Sequence, residues 1–122
     1  MPIVDVEFVC DSQAELACAS ASELAAAVGR ALGTPPGRTW MRLRMLAAQF
    51  YAENEAALSS AELPVFVTVL HARPPVGPAL AAEVAALTAT VAACVGRPPE
   101  RVHVQYAPAA TGRQAFGGVL VE

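Results

Sequence analysis

An internal repeat constrains this sequence more than any other feature, because the second half of the chain reproduces the pattern of the first. At a shift of 63 residues (Val4 to Val67), three segments align: Val4-Asp5-Val6 with Val67-Thr68-Val69, Leu24, Val28, Leu32 and Gly33 with Leu87, Val91, Val95 and Gly96, and Pro35-Pro36-Gly37-Arg38 with Pro98-Pro99-Glu100-Arg101. Such a repeat predicts one supersecondary unit per half, packed against its copy. We therefore expect a single domain over residues 1–122, with pseudo-repeats at about 2–62 and 63–122.

The first half has the pattern of a strand, a helix and a second strand. β-Branched residues dominate Ile3 to Val9, which favours a strand. Ser12 and Glu15 form a capping box, which predicts that a helix starts there. The helix is expected to stop at Gly33, since glycine tolerates the backbone of a helix C-cap. Thr39 to Met45 then alternates, as a second strand does.

The second half repeats this order. Pro64 to Leu70 is predicted to be the third strand. Pro78 suits the first turn of a second helix, and Gly96 is the expected stop. Arg101 to Tyr106 is the predicted fourth strand. The polar, alanine-rich stretch at 49–61 joins the halves as a hairpin arm or a connecting loop.

The connections between paired strands are long enough for parallel pairing within each half. Two β-α-β units then predict an α+β fold with a four-stranded mixed sheet and both helices on one face. The other face is expected to pack against further subunits; it carries Trp40, Arg42, His103 and Gln105, with apolar partners. A ferredoxin-like regulatory domain has the same element order. That alternative predicts a monomer or dimer and no role for Pro2.

Composition excludes several classes of function. The net charge is −3 and the arginines are scattered, which argues against nucleic-acid binding. No apolar run is long enough for a bilayer span and the start is acidic, so neither a membrane span nor a signal peptide is predicted. Cys10, Cys18 and Cys94 lack CxxC spacing, which favours a reduced, cytoplasmic protein. His71 and His103 lack ligand spacing, so no metal and no cofactor is expected.

Pro2 is the residue that most directly suggests chemistry. The chain contains no lysine, so only the N-terminus can supply an amine. Removal of Met1 would leave a free proline amine at the start of a strand. An α-amine titrates near a pH of about 8, and both an apolar environment and a neighbouring arginine disfavour its charged form. The alternative is an ordinary proline at the first position of a strand, which sheets tolerate.

The tandem repeat behind a Met1-Pro2 start resembles the tautomerase superfamily, which includes 4-oxalocrotonate tautomerase, macrophage migration inhibitory factor and related dehalogenases and decarboxylases. The matching pieces are Pro2, Val69-Leu70-His71-Ala72-Arg73, Pro98-Pro99-Glu100-Arg101-Val102-His103-Val104 and Phe116-Gly117-Gly118. The resemblance covers nearly the whole chain. It implies a homotrimer with a site at each subunit interface.

The resemblance also implies roles for single residues. Pro2 matches the catalytic proline, and Arg73 matches an arginine that binds the substrate carboxylate. His103 stands where the family carries a second arginine, and its first-half counterpart Trp40 also departs from arginine; these two departures put a dicarboxylate substrate in doubt. Phe116 or Gln114 lies near the apolar wall of the site. Arg42 is a candidate polar contact, although strand alternation also fits a cross-strand pair between Arg42 or Arg44 and the acidic Asp5 or Glu7.

The resemblance admits two kinds of chemistry. A neutral proline isomerises keto and enol forms, whereas a protonated one supports hydration, dehalogenation or decarboxylation. The hydrating members of this family also need a carboxylate to activate water, and in them it tends to lie late in the chain; here the stretch 101–121 has no Asp or Glu. We therefore predict a tautomerase or isomerase acting on a small α-keto acid. A decarboxylase- or dehalogenase-like enzyme and a non-catalytic oligomeric scaffold remain alternatives.

Overall fold

The computed structural model describes residues 1–11 and 20–122. Its elements are β1 Ile3–Cys10, α1 Ala21–Leu32, β2 Trp40–Ala47, β3 Val65–Leu70, α2 Pro78–Val95, β4 Val102–Tyr106 and a small hairpin of β5 Ala115–Phe116 and β6 Val119–Leu120. Single turns of 3-10 helix lie at Ala48–Phe50, Ser60–Glu62 and Pro99–Arg101. The connection between the halves is therefore mostly irregular.

The four long strands form one mixed sheet in the order β2-β1-β3-β4. The outer pairs are parallel and the central pair is antiparallel. Ile3 pairs with Trp40 in one half, and Phe66 pairs with His103 at the equivalent place in the other. The repeat is thus reproduced strand by strand, and the predicted tandem β-α-β fold is confirmed.

The core lies between this sheet and the two helices. Alternate residues of β1 and β3 are fully buried on the helix face, and they pack against Leu24 and Val28 of α1 and Leu87 and Val91 of α2. Burying one such side chain contributes about 1.5–3 kcal/mol. One cluster of buried side chains joins both halves, because each unit covers only part of the sheet.

The helix ends follow local sequence chemistry. Ser20 caps α1, since its side chain accepts a hydrogen bond from the Glu23 amide at 3.3 Å. Gly33 and Gly96 end the helices in the left-handed conformation, both with φ of 68°, as predicted. The predicted helix start at 12–15 and Cys18 lie outside the described residues.

Helix α2 carries a single charged residue, Glu83. Among the described helices it alone has the length and composition of a membrane span. Its Leu87, Val91 and Ala92 are buried in the core, an arrangement that a long core helix of a two-layer domain also shows. Length and composition are therefore weak grounds for a span here.

Candidate active site at the start of strand β1

Pro2 lies at the end of the sheet where β1 and β2 begin and β3 and β4 finish, which we call the proline end. Its side chain is fully buried, in phase with Val4 on the helix face. The Pro2 carbonyl oxygen accepts a hydrogen bond from the Trp40 amide at 3.0 Å. A proline suits this position, because the first residue of a strand need not donate to the ladder.

Arg73 is at the same end. Leu70 pairs with Ile3, and Arg73 follows three residues later, exposed. The loop before it is held by its main chain, since the Ala72 carbonyl oxygen accepts a hydrogen bond from the Thr111 hydroxyl at 2.8 Å. Within residues 1–11 and 20–122 the Arg73 guanidinium has no ion pair, so it is free to bind a carboxylate in bidentate fashion.

Phe116 also reaches the proline end. It lies on the β5–β6 hairpin, and its ring meets the Trp40 indole edge-on, with centroids 4.9 Å apart and an interplanar angle of 81°. Because Trp40 pairs with Ile3, Phe116 lies close to the start of β1. The two rings form an apolar wall at the proline end on the outer sheet face, whereas the Pro2 ring is buried on the helix face.

Arg42 is on the opposite face of the sheet from the buried Pro2 ring. Its Nε and Nη2 donate to the two carboxylate oxygens of Asp5 at 2.5 and 2.8 Å, and this contact raises the pKa of Arg42. Arg44 lies 3.7 Å from the same carboxylate. The predicted cross-strand charge pairing is therefore present. It occupies the guanidinium that we also considered as a ligand contact.

His103 lies at the far end of the sheet, where β3 and β4 begin. Phe66 pairs with both Glu7 and His103. At about 3.3 Å per residue and about 4.8 Å per strand, the Cα atoms of Pro2 and His103 are roughly 19 Å apart. His103 is exposed on the outer sheet face. One chain does not bring it to Pro2.

A cluster at the far end escaped the sequence analysis. Glu53 accepts a hydrogen bond from the Tyr51 hydroxyl at 2.8 Å and another from Arg101 Nη2. The Tyr51 bond, followed by Arg101, lowers the pKa of Glu53, and nearby His103 lowers it further. The Phe66 ring lies 5.6 Å from the His103 ring. A carboxylate that stays ionised therefore lies close to His103.

A second unpredicted cluster lies at the proline end, on the helix side. The Glu83 carboxylate accepts a hydrogen bond from the Tyr106 hydroxyl at 2.5 Å and lies 3.0 Å from His71 Nε2. Burial, followed by the bond to Glu83, raises the pKa of Tyr106. The sequence offered one signal for this cluster: Glu83 is the sole charge on an apolar helix.

Two clefts lie away from Pro2. One of 460 Å³ runs along α1 and is lined by small residues and Arg30. The other, of 360 Å³, lies on the outer sheet face and is lined by Asp5, Glu7, Arg44, Phe66, Thr68 and Gln105. No group of three metal-ligating side chains occurs in the described part of the chain. Neither described cleft encloses Pro2 and Arg73 together.

Comparison with known proteins identifies the fold. No protein-family model and no curated protein match the sequence. Among solved structures, Q0, a fused 4-OT described as a wild-type symmetric trimer, is 19% identical, covers 98% of this chain and 94% of its own, and has a TM-score of 0.74. Macrophage migration inhibitory factor from Oncomelania hupensis is 17% identical, with coverage of 100% and 83% and a TM-score of 0.69.

Malonate semialdehyde decarboxylase is also similar, at 16% identity, with coverage of 94% and 90% and a TM-score of 0.63. These proteins share one architecture across almost the full length of the chain. The chain therefore has the tautomerase-superfamily fold, and the predicted resemblance is confirmed at that level.

Proposed function

We propose that the protein is a tautomerase or isomerase that interconverts keto and enol forms of a small α-keto acid. The observation that carries this proposal is the convergence of Pro2, Arg73 and Phe116 at one end of the sheet. In the proposed reaction Pro2 is the acid and base, Arg73 binds the substrate carboxylate, and no cofactor takes part. We place the protein in the cytoplasm, because its sequence has no disulfide-type cysteine pattern.

The proline nitrogen supplies the chemistry once Met1 is removed. The neutral secondary amine accepts the enol hydroxyl proton, and the resulting ammonium returns a proton to carbon, so the substrate isomerises without net change. Burial of the Pro2 ring disfavours the charged amine. A general base works best when its pKa lies near the working pH.

Arg73 and the aromatic wall hold the substrate. A planar guanidinium grips a carboxylate through two parallel hydrogen bonds. The Trp40 and Phe116 rings provide an apolar surface for the rest of a small keto acid.

A homotrimer would complete the site. Q0, with the same fold, is described as a symmetric trimer. Within one copy, Pro2 and His103 lie at opposite ends of the sheet, so His103 can act only in the site of a neighbouring copy. In that arrangement it takes the place of a second arginine and contacts the substrate carbonyl. Arg42, paired with Asp5, is a secondary contact in this proposal.

The first test is the mass of the untagged protein, followed by assay with an enol pyruvate. Loss of Met1 and loss of ketonisation in Pro2→Ala, with the oligomer intact, would support the proposal. The matched control is Pro36→Ala, which changes an exposed turn proline. Complete retention of Met1 refutes proline catalysis and favours a non-catalytic scaffold, whereas full activity of Pro2→Ala refutes Pro2 as the acid and base.

A second candidate is a decarboxylase- or hydratase-like activity, and Glu53 favours it. Hydration needs a carboxylate, and the stretch 101–121 contains none. The fold instead brings Glu53 from the connection between the halves to Arg101 and close to His103. Assay of malonate semialdehyde and of a 3-haloacrylate separates the two candidates, because turnover of either compound that requires Glu53 selects the second.

A further inference from the structure

The cluster of His71, Glu83 and Tyr106 links three elements that meet at the proline end. The side chains of His71 and Glu83 are only 13% and 14% exposed. The His71 and Tyr106 rings stack, with centroids 5.9 Å apart and planes at 16°. A mostly buried carboxylate is costly unless it is hydrogen-bonded, and this one has two polar partners. The cluster is therefore ordered, and every member constrains the others.

The register of the sheet places this cluster beside Pro2. Ile3 pairs with Leu70 in the antiparallel ladder, so one further step along both strands brings Pro2 opposite His71. Both residues follow the alternation of the buried Val4 and Val69, which points to the helix face. In the segment that continues β3, His71 is thus the residue nearest to Pro2, the proposed base.

The loop that carries Arg73 is clamped from two sides. On one side, the His71 ring is fixed by Glu83 of α2. On the other, the His71 carbonyl oxygen accepts a hydrogen bond from the Ala110 amide at 2.8 Å, and the Ala72 carbonyl oxygen accepts one from the Thr111 amide at 3.3 Å. The backbone of Arg73 follows directly from these clamped residues.

We propose that Glu83 is a positioning residue that holds the His71–Arg73 loop, and with it the carboxylate-binding guanidinium, in place beside Pro2. This rests on the proposed function for its catalytic meaning. Both donors meet the same carboxylate oxygen, Oε2, and its negative charge makes each hydrogen bond stronger than one to the neutral oxygen of a glutamine amide. Glu83 touches neither substrate nor Pro2 in this role.

The test uses Glu83→Gln in the full-length protein, with Glu23→Gln as the matched control on an exposed helix site. Arg73 binds the substrate equally before and during reaction, so a misplaced Arg73 raises KM and spares kcat. We expect KM to rise on the order of tenfold in Glu83→Gln, since small displacements in a site have large effects. Tyr106→Phe, which removes one donor and keeps the ring, should have a smaller effect in the same direction.

A double-mutant cycle shows whether Glu83 works through Arg73. In an Arg73→Ala background, Glu83→Gln should leave KM unchanged, because the misplaced group is already absent. An equal KM increase in both backgrounds would overturn the proposal, as would a fall in kcat alone.

A second readout needs no substrate. Hydrogen exchange at the Ala110 and Thr111 amides should accelerate in Glu83→Gln and not in Pro2→Ala, while exchange at the core amide of Val67 stays slow. Unchanged exchange at those two amides refutes the positioning role. If the wild-type protein turns over no keto acid, the proposed function fails, and the exchange result still decides the role of Glu83.

Discussion

Trp40 and His103 occupy the same position in the two copies of the repeat, each opposite the strand that precedes it: Trp40 pairs with Ile3 and His103 with Phe66. Only Trp40 lies at the proline end, where its indole contacts Phe116. His103 lies at the far end beside Glu53 and Arg101. Equivalent backbone positions therefore present different chemistry at the two ends of the sheet.

Trp40 is the only tryptophan, so its fluorescence should report ligand binding at the proposed site. We expect a stable α-keto acid to change the emission of the wild-type protein in a saturable way. Arg73→Ala should weaken that titration at least tenfold, because it removes the bidentate carboxylate contact. Arg44→Ala is the matched control, since Arg44 lies on the outer face near Asp5. Equal affinities for the two variants would exclude Arg73 from the site.

The separation of Pro2 from His103 predicts complementation between inactive chains. If a site takes Pro2 from one copy and His103 from its neighbour, Pro2→Ala and His103→Ala are each impaired. Refolding the two together should then restore part of the wild-type activity, because some interfaces pair an intact Pro2 with an intact His103. Activity no greater than the sum of the separate variants would show that the site does not span two copies.

Glu53 should make the protein more sensitive to acid. Its folded-state pKa is lower than the ordinary value of 4.5, chiefly because Tyr51 and Arg101 donate to it. The unfolded chain therefore binds the extra proton first, so this stabilisation is complete above about pH 4.5 and is lost as the pH falls through the lower, folded-state pKa. Thermal unfolding between pH 3 and about 7 should show a smaller acid-side loss for Glu53→Gln than for wild type.

The Glu53 prediction has a built-in comparison. Glu55 follows two residues later and is exposed. Among the described residues, no tyrosine or arginine side chain donates a hydrogen bond to it. Glu55→Gln should therefore retain the wild-type pH profile. An identical profile for both variants would mean that the contacts of Glu53 contribute nothing to stability.

Arg42 and Asp5 should behave as one unit. Both ends of the pair are solvent-accessible, and exposed ion pairs contribute little to stability. Arg42→Ala and Asp5→Ala should each lower the unfolding midpoint slightly, and the double variant should lower it by less than the sum. An unchanged KM in Arg42→Ala would show that Arg42 does not bind the substrate, whereas a tenfold rise in KM would show that it does.

The topology was accessible from sequence because it rests on periodic features. The repeat predicted two copies of one unit, Gly33 and Gly96 marked both helix ends, and strand alternation placed Arg42 opposite an acidic neighbour. Each of these signals is local or recurs at a constant spacing. The physics that sets them, backbone conformation and the two-residue period of a strand, acts over a few residues.

The clusters were not accessible, because their members meet only in three dimensions. Glu53 lies in an irregular connection whose sequence has no hydrophobic period. Its partner Arg101 lies in the turn that precedes β4, far away in sequence. Glu83 reaches His71 across the loop and helix turn that separate them. Nothing in one linear sequence ranks such pairs. His103 shows a different limit of sequence analysis. The repeat correctly made it the equivalent of Trp40, but its distance from Pro2 depends on the directions of the strands, which the repeat does not specify.

The duplication leaves the two ends of the sheet unequal in a way that sets stoichiometry. At the position equivalent to Pro2 the second copy has Val65, and at the position equivalent to Arg73 the first copy has Cys10. Val65 lies inside the chain, so its nitrogen is an amide and can never be a base. A reagent that modifies the N-terminal amine should therefore attach one molecule to each polypeptide chain. One such modification per chain should abolish the activity completely.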